Sequence, residues 1–217
     1  MKKLVIVGAG GFGRELLQWC KDINAIEKKW EIWGFLDDNM DALAGCPCDV
    51  KVIGAIEEWQ PKEDEVFALA IADPDTKALV TQKLEKRGAV FVPVVHPTAH
   101  IGEFNRIGKG VVMYPNAGVT VNVGIGDFVT ILDNTSIGHD AMLGDFTTVC
   151  ASCGINGRVE VGSRTFVGCN VSTIPGVKTG DGCLVGAGSV VVSNIRDKMH
   201  VFGNPAKRMA LPKTENE

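Results

Sequence analysis

Within the heptapeptide NTSIGHD, Asn134 to Asp140, a histidine stands directly before an aspartate. Imidazole is the side chain best suited to take up a proton near neutral pH, and an adjacent carboxylate supports the imidazolium that forms. Such a pair can draw the proton from an amine or a hydroxyl as that group attacks a carbonyl carbon. It can equally be a solvated turn, and nothing local separates the two readings. A second pattern is Gly8-Ala-Gly-Gly-Phe-Gly13, a GxGxxG that follows the apolar run Lys2–Val7 and precedes an amphipathic segment with Leu16, Leu17, Cys20 and Ile23 at helical spacing. Asp37 ends the next apolar run, so the context suits phosphate binding at a helix N-terminus. A third, Cys150-Ala-Ser-Cys153, has no second CxxC or His pair to complete a metal set, so no metal is expected.

The elements that must hold these groups change character near residue 100. Up to there strands and helices alternate: Lys2–Val7, a helix, Trp30–Leu36, Glu65–Ala72, a helix in PDTKALVTQKLEKRG, and Ala89–Val95. That order implies a small parallel α/β domain. Fewer than 100 residues precede the change, room for one mononucleotide-binding half but not for the two that NAD requires.

From Ile101 to Val191 every sixth residue is aliphatic, with Thr173 and Thr179 the two exceptions among sixteen. Glycine follows at nine of those places, among them Gly102, Gly138 and Gly162, and small or β-branched residues such as Ala117, Thr135 and Cys153 recur four places on. A period of six fits neither a helix nor simple strand alternation. It fits a parallel β-helix with three flat sides, in which each hexapeptide is a strand and a corner, the aliphatic residue points inward and glycine eases the corner. Three hexapeptides close an 18-residue coil; sixteen make roughly five coils about 4.8 Å apart. Ile101, Val119, Ile137, Ile155, Thr173 and Val191 then form one interior column. His139, two places beyond Ile137, stands at a corner or on the outer surface, where no interior requirement explains it. The α/β domain is expected to cap the first coil, and the segment after Val192 the last.

Composition narrows the partners. A net charge of −4 over 217 residues gives no general attraction for nucleic acid or anionic lipid, and no stretch approaches the roughly 18 apolar residues of a membrane helix. The N-terminal MKKLVIV reads as a strand, not a leader, and the seven scattered cysteines suggest no disulfide framework. A cytoplasmic protein is expected.

The uninterrupted hexapeptides, the isolated GHD, the closing Gly203-Asn-Pro-Ala-Lys207 loop, and GAGGFG with Phe35-Leu-Asp-Asp38 together resemble the NeuD/PglD-like sugar acetyltransferases over the whole chain. The resemblance implies a Rossmann-like α/β domain, residues 1–97, that binds the acceptor, and a left-handed β-helix acyltransferase domain with a C-terminal cap, residues 98–217. It further implies a homotrimer, acetyl-CoA as co-substrate and no metal. By residue, His139 is implied as general base with Asp140 as its support. Gly10, Gly11, Phe12, Asp37, Asp38 and Ala72 are implied at the acceptor site, and Thr148, Gly157, Cys169, Ala187 and Lys207 along acetyl-CoA, with Arg208 a further partner for its phosphates. The sequence departs from the amino-sugar branch at Phe12, Ala72 and Thr148, where histidine, glycine and a second histidine are usual. The implied reaction is acetyl transfer to an amino group of a nucleotide-linked sugar in bacterial surface-glycan synthesis. O-acetylation of a sialic acid-like sugar is the near alternative, and a non-catalytic nucleotide-binding β-helix scaffold or an NAD-linked enzyme the alternatives of another class. His96 and His100 are expected to hold the domains together, and His200 to lie near the cap.

Overall fold

A computed structural model of the chain describes residues 1–209. The end of the expected C-terminal cap, 210–217, lies outside the described residues. The N-terminal unit comprises β1 (Lys2–Val7), α1 (Gly11–Ile26), β2 (Trp30–Leu36), β3 (Val52–Gly54), β4 (Glu65–Leu69) and α2 (Pro74–Lys86). Its four strands are parallel in the order β3-β2-β1-β4. Leu4 to Val7 of β1 are fully buried, as a strand covered on both faces requires. Helix α1 turns Leu16, Leu17, Cys20 and Ile23 inward, as their spacing predicts. At the start of α2 the Asp73 carboxylate accepts the Thr76 N–H at 2.8 Å, and Pro74 sits where its missing N–H costs nothing.

Two expectations change here. The strand expected over 89–95 is divided: around Phe91 it touches β4 through one parallel bridge to Phe67, with Phe67 N–H donating to Val90 and Val92 N–H to Phe67 at 2.9 Å each, and Val94–Val95 then pairs with Val112–Met113 of the β-helix. Strand β4 ends at Leu69, so Ala72 lies in the turn leading to α2. The short β3 carries too few residues to show a period.

The remainder is a parallel β-helix with an 18-residue coil. One face stacks Val94–Val95, Val112–Met113, Thr130–Ile131, Thr148–Val149, Phe166–Val167, Leu184–Val185 and His200–Phe202; the second runs from His100–Ile101 to Val190–Val191; the third from Arg106–Ile107 to Lys178–Thr179. These seven, six and five strands make six coils, one more than the hexapeptides alone suggest. Ile101 pairs with Val119, Val119 with Ile137, and Ile137 with Ile155 in the expected interior column, and Ile137 is wholly buried. The small residues four places on are interior as well. The Thr135, Thr147 and Thr165 hydroxyls there donate to the carbonyls of Cys150, Gly162 and Gly180, so none is left unsatisfied.

The corner glycines act differently from the expectation. The left-handed backbone falls two residues later, at Asn116, Asn134, Asp140 or Ser152, and not on glycines such as Gly138. What excludes a side chain from the glycine position is the neighbouring coil: a Cβ on Gly102 would stand 2.3 Å from the Thr120 carbonyl oxygen, and one on Gly162 2.3 Å from that of Gly180. Coils a strand spacing apart leave no room for it.

The α/β domain lies against the side of the β-helix, not across its first coil. Val94, Val112 and Tyr114 share a core with Leu4, Ile6 and Leu16, and Phe128 packs edge-on against Phe91. Ile101 and Ile107 at the open end remain about a third exposed, at 36% and 37%, where capping would have buried them. At the other end the segment after Val192 does cap: Ile195 bridges to Thr179, and Gly203 accepts the Val190 N–H. His96 performs its expected joining role, with Nε2 3.3 Å from Asp22 and its ring edge-on to Trp19.

Candidate active site

His139 sits on the edge between the second and third faces, opposite the face that carries the α/β domain. The interior position of Ile137 and the period of six force it outward. Its Nδ1 is 2.7 Å from Asp140 Oδ2, and both side chains are about half exposed. A carboxylate can only accept, so the neutral imidazole carries its proton on Nδ1 and keeps the Nε2 lone pair free. Asp140 occupies the left-handed backbone position of this corner at φ 59°, a conformation that aspartate tolerates better than most residues. The ring crosses Gly157 of the next coil: a Cβ there would lie 2.5 Å from Nε2. Gly157 is thus the floor beneath the imidazole.

Cys169 and Ala187 stand one coil apart on the edge between the first and second faces, both exposed. Between that edge and His139 runs the second face, whose outward residues are Gly118, Ser136, Gly154, Ser172 and Val190. Open space lies above Gly118, and above Gly154 only the Ser172 hydroxyl comes near, at 3.8 Å. The result is a smooth floor joining the two edges. Lys207 and Arg208 are exposed on the terminal strand, antiparallel to Val201–Phe202.

The glycine loop lies on the far side of the molecule from His139. Gly8, at φ 102°, makes the turn out of β1, and Gly13 approaches it so closely that a Cβ would meet the Gly8 carbonyl oxygen at 2.1 Å. Gly10 faces open space, only the Arg14 guanidinium comes near a Cβ placed on Gly11, at 3.9 Å, and α1 begins with neither a side-chain cap nor an acidic residue in its first turn. Its first N–H groups are therefore free to meet an anion. Asp37 braces this loop: one oxygen accepts from Ala9 N–H at 2.8 Å and the other from Asn39 N–H at 2.9 Å. Asp38 accepts from the Glu57 N–H at 3.1 Å. Phe12 stacks on Tyr114 of the β-helix, ring centres 5.4 Å apart.

Thr148 departs from its expected place. It is fully buried, and its hydroxyl donates to the Ala72 carbonyl at 2.6 Å, so it cannot reach a molecule lying along the outside of the β-helix. Its partner on the other side is Lys77, a residue that motif reading passes over. The Lys77 amine is buried among the Phe128 carbonyl and the Thr130 and Thr148 hydroxyls, at 3.1, 2.9 and 2.8 Å. Burial pushes its pKa down to about 7. A sequence signal existed: Lys77 occupies the i, i+4, i+7 face of α2 with Thr81 and Leu84. Among the described residues, no cluster of three His, Cys, Asp or Glu side chains is placed to hold a metal ion, and no helix is long and apolar enough to cross a membrane.

An α/β domain docked on a six-coil β-helix, with an exposed His–Asp pair on one edge, defines a class of two-domain protein that comparison identifies further. Residues 3–84 match the family model of the PglD N-terminal domain. Over its full length the chain is similar to the acetyltransferase domain of PglB from Neisseria gonorrhoeae in complex with acetyl coenzyme A, at 25% identity, covering 96% of this chain and 99% of that one with a TM-score of 0.86. It is similar also to a mutant perosamine N-acetyltransferase from Caulobacter crescentus in complex with CoA and GDP-perosamine, at 25% identity, 97% and 98% coverage and TM-score 0.87. WeeI from Acinetobacter baumannii shares the fold, at 24% identity, 96% and 100% coverage and TM-score 0.84. No curated protein matches the sequence. Residues 3–84 thus carry a PglD-type N-terminal domain, and the whole chain shares with these sugar acetyltransferases a Rossmann-like domain followed by a left-handed parallel β-helix.

Proposed function

We propose that the protein is an acetyl-CoA-dependent acetyltransferase that acts on an amino group of a nucleotide-linked sugar. The observation that carries this reading is the His139–Asp140 pair, half exposed on an edge of the β-helix with Nδ1 engaged by Asp140. His139 Nε2 accepts the proton that the acceptor amine loses as it attacks the thioester carbonyl, and returns it to the departing sulfur; Asp140 supports the charge in between. The thioester is already activated, so no covalent enzyme intermediate is required. The solved relatives that bind acetyl-CoA, or CoA with GDP-perosamine, support the substrate class.

In this reading residues 1–97 bind the acceptor and residues 98–217 carry out the transfer. Gly10 and Gly11 offer backbone N–H groups to the nucleotide phosphates, with Phe12, Asp37, Asp38 and Ala72 around them. Gly157, Cys169, Ala187 and Lys207 lie along acetyl-CoA, which the small-residue second face can accommodate between its two edges. The glycine loop belongs to the α/β domain over the first face, and His139 stands on the edge opposite that face, a separation that argues against one chain supplying both acceptor and base. Shared sites in a homotrimer resolve this, with His139 of one subunit serving the acceptor domain of a neighbour. Exposed apolar residues on and beside the His139 edge, Val121, Met142 and Ile174, are suited to that contact. All seven cysteines are free, which accords with a cytoplasmic site of action.

Thiol release from acetyl-CoA in the presence of UDP-4-amino-sugars, GDP-amino-sugars and sialic acids tests the proposal. Turnover with an amino sugar and a trimeric mass in light scattering are expected; no turnover with any acceptor favours a binding scaffold. Phe12 supports a second reading. Packed on Tyr114 in place of a histidine, it suits an acceptor other than the usual amino sugars, and turnover with sialic acids alone would identify O-acetylation.

A further inference from the structure

We propose that Lys77 is a positioning residue for the acceptor site: its buried amine holds Thr148, Thr148 holds the Ala72 carbonyl, and the turn entering α2 is thereby fixed on the β-helix. The inference rests on the reading of Ala72 as part of that site. The hydrogen-bond directions follow from valence. Thr148 has one hydroxyl proton, which goes to the Ala72 oxygen at 2.6 Å, so at 2.8 Å the Lys77 Nζ must donate to a Thr148 lone pair. The same amine meets the Phe128 carbonyl at 3.1 Å, the Thr130 hydroxyl at 2.9 Å and, more distantly, the Thr147 carbonyl at 3.4 Å. No carboxylate is among these partners.

Simple docking of α2 does not require such a group. The surrounding contact already includes Phe67, Phe91, Phe128, Val80 and Leu84 in one apolar cluster, and an aliphatic side chain at 77 would extend it without the desolvation cost of a wholly buried amine. What the amine adds is direction. It fixes the donor geometry of Thr148, whose hydroxyl ties the turn at Ala72 to a rigid coil across 76 positions of sequence. A site held by a loop gains precision when a second layer of hydrogen bonds locks the loop.

The test compares wild type with Lys77→Met, Lys77→Arg and Thr148→Val in the full-length protein. Amide hydrogen exchange over residues 70–76 is read first. Lys77→Met and Thr148→Val are each expected to speed exchange there by about tenfold, the worth of one lost hydrogen bond, while the β-helix strands are unchanged. With GDP-perosamine or a UDP-4-amino-sugar as acceptor, both raise the acceptor KM by about tenfold and leave kcat and the acetyl-CoA KM within about threefold. Lys77→Arg restores part of the loss, and the double variant is no worse than either single one. Unchanged exchange at 70–76, or equal increases in both KM values, overturns the proposal. If Lys77→Met fails to fold, Thr148→Val decides, since it removes only the inner link. If wild type acetylates none of these acceptors, the amino-sugar reading fails, while the exchange measurement still decides the role of Lys77.

Discussion

Two faces of the same β-helix, built from one repeat, meet opposite fates. The first presents Val94, Val112, Thr130 and Thr148 outward and is buried beneath the α/β domain. The second presents Gly118, Ser136, Gly154 and Ser172 and stays open. Their interiors are alike, stacked aliphatic residues at the same register, so the outward position alone separates a docking face from a candidate substrate floor. The repeat specifies the scaffold, and function is written in the residues the scaffold does not need.

Neighbouring positions on one coil offer the sharpest way to break that contrast. Ile137→Ala, inside, is expected to lower stability by about 2–5 kcal/mol in urea unfolding, because a packed column cannot close over the missing atoms. His139→Ala, two residues on and outside, is expected to leave the urea midpoint near wild type and to lower kcat by about 10²-fold. A near-wild-type rate would remove His139 from the chemistry. Gly157→Ala lies between these extremes: its Cβ would fall 2.5 Å from Nε2. It is expected to displace the imidazole and cost about tenfold in kcat with a small change in stability.

The smallest effect concerns the covered face. The Lys77 pKa is pushed down to about 7 from the ordinary 10.5, mainly by burial, while Asp73 and Cys150 pull the other way. Above pH 7 the folded chain has released a proton that the unfolded chain keeps, so this group makes stability rise with pH from about 7 upward. Buried thiols oppose it at higher pH: Cys20 and Cys150 are raised from 9.0 to about 12, so unfolded chains lose those protons first. Between pH 7 and 9 the unfolding free energy from urea titrations is expected to climb by up to the ~1.4 kcal/mol per pH unit that one proton allows, and the climb should vanish in Lys77→Met. A pH-independent midpoint in wild type would show that the amine is not held neutral by its surroundings.

Much of the fold was legible because the period of six is local and repeats. It locates the interior from Ile101 to Val191 and turns His139 and Asp140 outward by spacing alone. It misjudged the corner glycines, since their constraint comes from the adjacent coil 18 residues away and not from their own backbone angles. The strand expected over 89–95 is divided for a similar reason: its apolar residues suit a sheet, and Phe91 bridges to β4, yet the β-helix supplies the partner of Val94–Val95. The outward place that the resemblance implies for Thr148 is correct for the strand, but the α/β domain covers it.

The sequence by itself determined the scaffold, the glycine turn and the outward His–Asp pair, because these depend on spacing within a few residues or on a repeat that states its rule sixteen times. Only the tertiary structure decided that the α/β domain lies on a side face, that Lys77 reaches Thr148 across 71 positions, and that the glycine loop and His139 stand on opposite sides of one chain. Such contacts join segments with no common pattern, and their energies arise when packing brings the surfaces together.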